Sequence, residues 1–129
     1  MISFENFKIT DLSPIYLQII QFIKQGLASG SIVYSDELPS RRVLSSLLGI
    51  NPNTVQKAYH MLEEEGLIET KGGSKSCISA SEEQIKAVRQ SLLLGQMEQT
   101  VKNLKQLGID KDEALSLLCK LWESEENEP

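Results

Sequence analysis

The chain has 129 residues, of which 40% are hydrophobic and 24% are charged, and its formal net charge is -5 at pH 7. This length holds one domain of ordinary size, or a compact domain with a short appendage, and excludes a complete catalytic domain beside a complete DNA-binding domain. The composition is typical of a folded protein, and the acidic balance argues against a protein that coats nucleic acid indiscriminately.

The first predicted helix begins after Ser13, whose hydroxyl can cap it, with Pro14 at the first helical position. Apolar residues then recur with helical spacing until Gly30 ends the helix, so one face should pack against a core. This stripe consists of Tyr16, Ile19, Ile20, Ile23 and Leu27.

Two shorter helices follow, joined by a tight turn at residues 49–51. The first begins at Pro39-Ser40, and the second has Asn51 as its cap and Pro52 at its first helical position and ends at Gly66. Two short helices joined in this way are typical of a helix-turn-helix. Their apolar faces consist of Val43, Leu44, Leu47 and Leu48 in the first and of Val55, Ala58, Tyr59 and Leu62 in the second.

A hairpin is predicted after these helices, with strands at Leu67–Thr70 and Cys77–Ser79 joined by the glycine-rich segment 71–76. This hairpin is the wing of a winged helix-turn-helix. The fold class expected is therefore mainly α with a small β-hairpin wing, followed by two C-terminal helices. We assign residues 1–80 to the winged helix-turn-helix, residues 81–124 to a helical segment and residues 125–129 to an acidic tail.

The helical segment carries more apolar surface than two isolated helices can cover. Its long helix begins with a capping box formed by Ser81 and Gln84 and runs to about Leu107, and a last helix begins at Asp110. The apolar stripe changes register at Gly95, which suggests two different surfaces to cover. We expect the second surface to form a homodimer interface consisting of Leu94, Met97, Val101, Leu104, Leu117, Leu118, Leu121 and Trp122.

The second helix of the helix-turn-helix presents a polar face opposite its apolar stripe. Asn53, Gln56, Lys57 and His60 recur on it with helical spacing. Asparagine and glutamine match the N6 and N7 edge of adenine, and lysine suits guanine or a phosphate. Because the start of a recognition helix reaches base edges, Asn53, Thr54, Gln56 and Lys57 are the candidate base contacts, and His60 is a phosphate neighbour or a solvent-exposed residue.

Phosphate contacts are expected from the first helix of the pair and from the wing. Ser40, Arg41 and Arg42 occupy the first turn of that helix, whose N-terminus attracts anions. Residues 38–62 and 70–81 contain no acid, and the second span contributes Lys71 and Lys75. We therefore expect these two lysines to neutralise phosphates without reading sequence.

Three blocks of residues then carry a family resemblance. They are Pro14-Ile15-Tyr16-x-Gln18-Ile19, Leu38-Pro39-Ser40-x-Arg42-x-Leu44 and Asn51-Pro52-Asn53-Thr54-Val55-x-Lys57-Ala58-Tyr59-x-x-Leu62-x-x-Glu65-Gly66-Leu67-Ile68-Glu69. In this order, over about residues 10–79, they resemble the winged helix of the GntR family. The short C-terminal segment is similar to the YtrA-type branch, in which two helices serve for dimerisation.

The resemblance implies a repressor that binds double-stranded DNA as a homodimer. It implies that Arg42 contacts phosphate and base, that Asn53, Thr54 and Gln56 are recognition-helix contacts, and that Gly73 is the wing-tip glycine. The wing departs from the family's pattern, because Gly72, Lys75 and Cys77 stand where the family has arginine, glycine and an aromatic residue.

Other functions fit the sequence less well. A winged helix that docks a partner protein stays the alternative, because it would suit the acidic net charge. An enzyme is not expected, because no nucleophile with a base, no metal-ligand set and no cofactor loop can be argued. Cys77 and Cys119 lack metal-ligand spacing, so no metal or cofactor is expected either.

The chain is further expected to be cytoplasmic and without a membrane partner, since it shows neither a secretory signal nor a long apolar run. A small-molecule effector stays open as a partner, since nothing in residues 81–129 identifies one.

Overall fold

The computed structural model describes residues 1–73 and 75–126 and confirms the expected fold class of five helices with a small sheet. The predicted tail begins inside the last helix, and its residues 127–129 lie outside the described residues. The chain folds into two compact units, Met1–Ser91 and a second one that begins at Leu92. The elements are α1 (Ile15–Ser29), β1 (Glu37–Leu38), α2 (Arg41–Leu48), α3 (Pro52–Glu64), β2 (Ile68–Lys71), β3 (Lys75–Ile78), α4 (Glu82–Gln106) and α5 (Lys111–Glu126).

The sheet is antiparallel with the strand order β1-β3-β2. β1 was not predicted, because a pair of residues is too short to show a periodic pattern. The hairpin also differs from the prediction, because Lys71 pairs with Lys75 and the connecting turn is therefore shorter than residues 71–76. The pairing of β2 with β3 extends through polar residues, which a hydrophobic pattern does not indicate. Ser74, a residue of the predicted turn, lies outside the described residues.

The core of the first unit lies between α1, α3 and the inner face of the sheet. The predicted stripes of α1 and α3 are confirmed, except that Tyr16 is only half-buried. The apolar face predicted for α2 is partly wrong: Leu44 is buried, but Val43 and Leu47 are 47% and 69% exposed. This eight-residue helix fully buries only Leu44 and Ser45, and Leu48 is half-buried against the core, so Val43 and Leu47 stay on the surface.

The N-terminal segment belongs to the same core, which the sequence pattern did not indicate. The N–H of Ile2 donates to the carbonyl of Glu37 over 2.7 Å, and Ile2 and Phe4 are buried. Phe4, Phe7 and Phe22 form a cluster with ring centroids 4.8 to 5.7 Å apart. This segment therefore covers part of α1 and continues the sheet edge at β1.

Most helix ends form as the sequence predicts, and α1 is the exception. Its N-cap is Pro14, and Ser13 makes no side-chain cap bond. Instead the Gln18 side chain reaches back, donating to the carbonyls of Thr10 and Ser13 and accepting the N–H of Thr10 over 2.9 Å. A side chain one turn inside the helix thus satisfies backbone groups of the segment that precedes the helix.

The start of α4 shows the predicted capping box. The N–H of Ser81 donates to Gln84 Oε1 over 2.8 Å, and the N–H of Gln84 donates to Ser81 Oγ over 3.2 Å. Ile85 and Val88, on the next turns of α4, are half-buried and pack against the core of the first unit. The first turns of α4 are therefore part of this unit.

Candidate nucleic-acid interface

The outward face of α3 begins with exposed amide side chains. Asn51 Oδ1 caps the helix by accepting the N–H of Asn53 over 2.8 Å, and burial of Val55 and Leu62 fixes which face points outward. Asn53 and Gln56 are exposed, and in the part of the chain that the structure describes their side chains make no hydrogen bond. Thr54, half-buried, lies at the margin of this face. Unpaired donors and acceptors side by side on a helix face can form bidentate bonds with a base edge.

Lys57, predicted as a base or phosphate contact, lies against α1. Its Nζ is 4.0 Å from the centroid of the Tyr16 ring, which is a cation–π contact. The contact leaves the lysine charged and three N–H donors present, and it limits where the ammonium group can point. Sequence reasoning missed this partner because Tyr16 and Lys57 lie on different helices.

His60 has an acidic neighbour that the sequence analysis overlooked. Its Nε2 lies 2.6 Å from Glu64 Oε1, one helical turn further on. The outward face of α3 is therefore not free of acids along its whole length, since Glu64 continues the stripe of Asn53 and His60. The i, i+4 spacing of His60 and Glu64 is the signal that could have revealed the pair.

The start of α2 brings Ser40, Arg41 and Arg42 together, but only Arg42 is exposed without a partner among the described residues. Ser40 Oγ is the N-cap and accepts the N–H of Val43 over 3.2 Å. The Arg41 guanidinium lies 5.5 Å from the centroid of the Tyr59 ring, and its Nε is buried with no hydrogen-bond partner in the described part of the chain. Arg41 is therefore directed toward the protein, whereas Arg42 points to solvent.

Tyr59 links the two helices of the helix-turn-helix. Its ring is fully buried, and its hydroxyl donates to the carbonyl of Pro39, just before the cap of α2, over 2.7 Å. Burial raises the pKa of Tyr59 well above its ordinary value, and the nearby Arg41 charge opposes this shift only in part. The neutral phenol thereby fixes the start of α2 relative to α3.

The wing presents its two predicted lysines at the ends of paired strands. Lys71 Nζ lies 3.0 Å from Glu69 Oε1, and this hydrogen bond raises the pKa of Lys71 above its ordinary value. Lys75 is directly opposite Lys71 and makes no ion pair in the described residues. Gly73 lies in the turn with φ at 81°, a left-handed conformation that favours glycine.

The second unit exposes a large apolar surface. Of the residues predicted for the dimer interface, Leu104 is half-buried and the others are exposed. The exposed members are Leu94, Met97, Val101, Leu117, Leu118, Leu121 and Trp122. Across the described residues, no helix is both long enough and apolar enough to span a membrane.

Comparison with known proteins gives consistent matches. A model of the family described as "Bacterial regulatory proteins, gntR family" matches residues 15–78. The chain is 42% identical over 111 residues to the HTH-type transcriptional repressor YtrA of Bacillus subtilis (strain 168), covering 86% of this chain and 81% of that protein. It is 35% identical over 102 residues to the uncharacterized HTH-type transcriptional regulator YhcF of the same organism, covering 79% of this chain and 84% of that protein.

A solved structure matches over most of its length. The GntR family transcriptional regulator from Listeria monocytogenes superposes with a TM-score of 0.78 at 29% identity, covering 87% of this chain and 98% of that chain. These three relatives are described as transcriptional regulators, in agreement with the expectation that the chain is not an enzyme.

Proposed function

The chain belongs to the gntR family of bacterial regulatory proteins, and we propose that it represses transcription by binding a palindromic DNA operator as a homodimer. The observation that carries the DNA-binding part is the outward face of α3. There Asn53 and Gln56 are exposed, with amides that make no hydrogen bond to any described residue, and the exposed Arg42 lies at the start of the preceding helix. The repressor role follows from the relative YtrA, whose name gives that activity.

We assign different tasks to the amides and to the cations. Asn53 and Gln56 read base edges in the major groove, since each amide supplies a donor and an acceptor together. Arg42 and Lys75, which have no intramolecular partner in the described residues, bind phosphates and fix the register of α3 on the duplex. Ser40 and Gly73 support these contacts as the cap of α2 and the turn of the wing.

Dimerisation is assigned to the exposed apolar side chains of α4 and α5. Exposed apolar side chains in this number mark a partner site. In a two-fold homodimer each copy offers the same surface to the other. A two-fold dimer would offer two α3 helices to half-sites about 34–36 Å apart, or a multiple of that distance. The operator should accordingly be an inverted repeat.

Selection of binding sites from random duplexes tests the proposal. We expect the full chain to recover an inverted repeat with adenine-containing half-sites, and the double variant Asn53→Ala, Gln56→Ala to recover no preferred sequence. The matched control is Gln21→Ala, a glutamine exposed on α1. Recovery of the same motif by the double variant would contradict the assignment of α3 as the reading helix.

A protein-binding module is the second candidate, and the exposure of Val43 and Leu47 on α2 favours it. Salt separates the two functions. Binding to duplex DNA releases counterions and weakens steeply as salt rises, with a slope of about -0.9 per phosphate contacted. If the chain bound random duplex without such a slope, or not at all at low salt, the protein-binding function would replace the DNA-binding one.

A further inference from the structure

Two carboxylates lie on the surface proposed to face DNA, and each holds one of its basic side chains. Glu64 Oε1 lies 2.6 Å from His60 Nε2 on α3, and Glu69 Oε1 lies 3.0 Å from Lys71 Nζ on β2. The acidic net charge of the chain does not explain why these two carboxylates lie on this surface, because acids elsewhere on the surface would serve solubility equally well.

The position of Glu64 differs from that of the acids beside it. Glu63 accepts the hydroxyl of Thr70 on β2, and Glu65 pairs with Lys24 of α1 over 3.0 Å. These two therefore support the packing of α3 against its neighbours. Glu64 instead continues the outward stripe on which Asn53 lies, so it is directed toward the proposed ligand.

Glu69 lies on the outer face of the hairpin together with Lys71. Side chains two residues apart along a strand share a face. Lys71 pairs with Lys75, so both lysines lie at the end of the hairpin next to its turn. All four side chains of these two contacts are largely exposed, with side-chain exposures between 47% and 69%. Exposed pairs of this kind stabilise a fold very little, so a structural role does not account for them.

We infer that Glu64 and Glu69 are affinity-limiting residues that compete with DNA phosphates for His60 and Lys71 and so hold down sequence-independent binding. The inference rests on the proposed function, since it needs duplex DNA as the ligand. Sequence-independent affinity depends on how many phosphates the cations neutralise. With both pairs formed, Arg42 and Lys75 are the cations of the surface that no described side chain engages.

The test measures binding of the full chain to a random duplex by fluorescence anisotropy at several salt concentrations. We expect Glu69→Gln to bind more tightly than wild type and to steepen the salt slope by about 0.9, the value for one more phosphate contact. The ratio of the affinity of Glu69→Gln to that of wild type should then fall about threefold to fourfold between about 50 and 200 mM salt. We expect Glu64→Gln to tighten binding in the same direction.

Two controls separate local pairing from a general change of charge. Glu5→Gln changes the charge equally at an exposed site whose carboxylate has no partner in the described residues, and we expect the slope of wild type. In a Lys71→Ala background, Glu69→Gln should have no more effect than this control. If Glu69→Gln and Glu64→Gln behaved like Glu5→Gln, or if Glu69→Gln kept its full effect without Lys71, the inference would be overturned.

The outcome also distinguishes the inference from the function on which it rests. Wild-type chain that binds no duplex at low salt overturns the proposed function together with the inference. Wild-type chain that binds duplex, with unchanged affinity in both carboxylate variants, overturns the inference alone.

Discussion

Removal of one buried hydroxyl tests how the helix-turn-helix is held together. Tyr59→Phe keeps the ring, and with it the contact to Arg41, but deletes the hydrogen bond of 2.7 Å to the carbonyl of Pro39. Tyr59 is fully buried and Pro39 is buried as well, so water cannot replace the lost donor. An unsatisfied buried acceptor costs about 1 to 3 kcal/mol, and we expect the free energy of unfolding to fall by that amount.

Urea unfolding followed by circular dichroism, at one fixed protein concentration, measures this loss. With a dependence of about 2 kcal/mol per molar urea, a loss of about 2 kcal/mol lowers the midpoint by about 1 M. The control is Tyr34→Phe, because Tyr34 is exposed and its hydroxyl makes no hydrogen bond within the described residues. Its midpoint should match that of wild type.

The stability difference between wild type and Tyr59→Phe should also depend on pH. The pKa of Tyr59 is raised by burial above the ordinary value of 10.0 that it has in the unfolded chain. The stability linked to this shift is fully present below the unfolded value and is lost as the pH rises above it, because only the unfolded chain then releases its proton. The difference in stability between wild type and Tyr59→Phe should therefore narrow above about pH 10. Equal midpoints at neutral pH, or a difference that widened above that pH, would refute the role given to this hydroxyl.

Three further predictions follow from other parts of the chain. Gly26→Ala would place a Cβ 2.3 Å from Ile32 Cδ1, so we expect the free energy of unfolding to fall by about 1 to 3 kcal/mol in the same urea assay. An unchanged midpoint would contradict this tight contact. Gln56→Ala should reduce the binding free energy by about 1 to 3 kcal/mol at the preferred base alone, whereas Lys75→Ala should weaken binding to all duplexes and lower the salt slope by about 0.9. Titrations against single-base variants of the operator measure both effects, and a changed base preference in Lys75→Ala with none in Gln56→Ala would contradict these roles. A chain truncated after Ser91 should sediment as a folded monomer with weak operator binding, and a truncated dimer would exclude the second unit as the interface.

Local signals in the sequence determined the helices and most of their ends. The caps by Ser40 and Asn51 and the box of Ser81 with Gln84 form between residues two or three apart, so the pattern that predicts them is also the interaction that stabilises them. The buried stripes of α1 and α3 were likewise predictable, because helical periodicity alone assigns each residue to a face.

Tertiary structure decided which polar side chains stay available. Lys57 lies over Tyr16, 41 positions earlier in the chain, and Tyr59 reaches Pro39 on the far side of the helix-turn-helix. The strand β1 and the buried Phe4 depend in the same way on segments that are distant in sequence. Periodicity places a side chain on a face, but the direction of a long side chain depends on the groups that packing brings within its reach. This is why α3 could be recognised from sequence while the contact of Lys57 with Tyr16 could not.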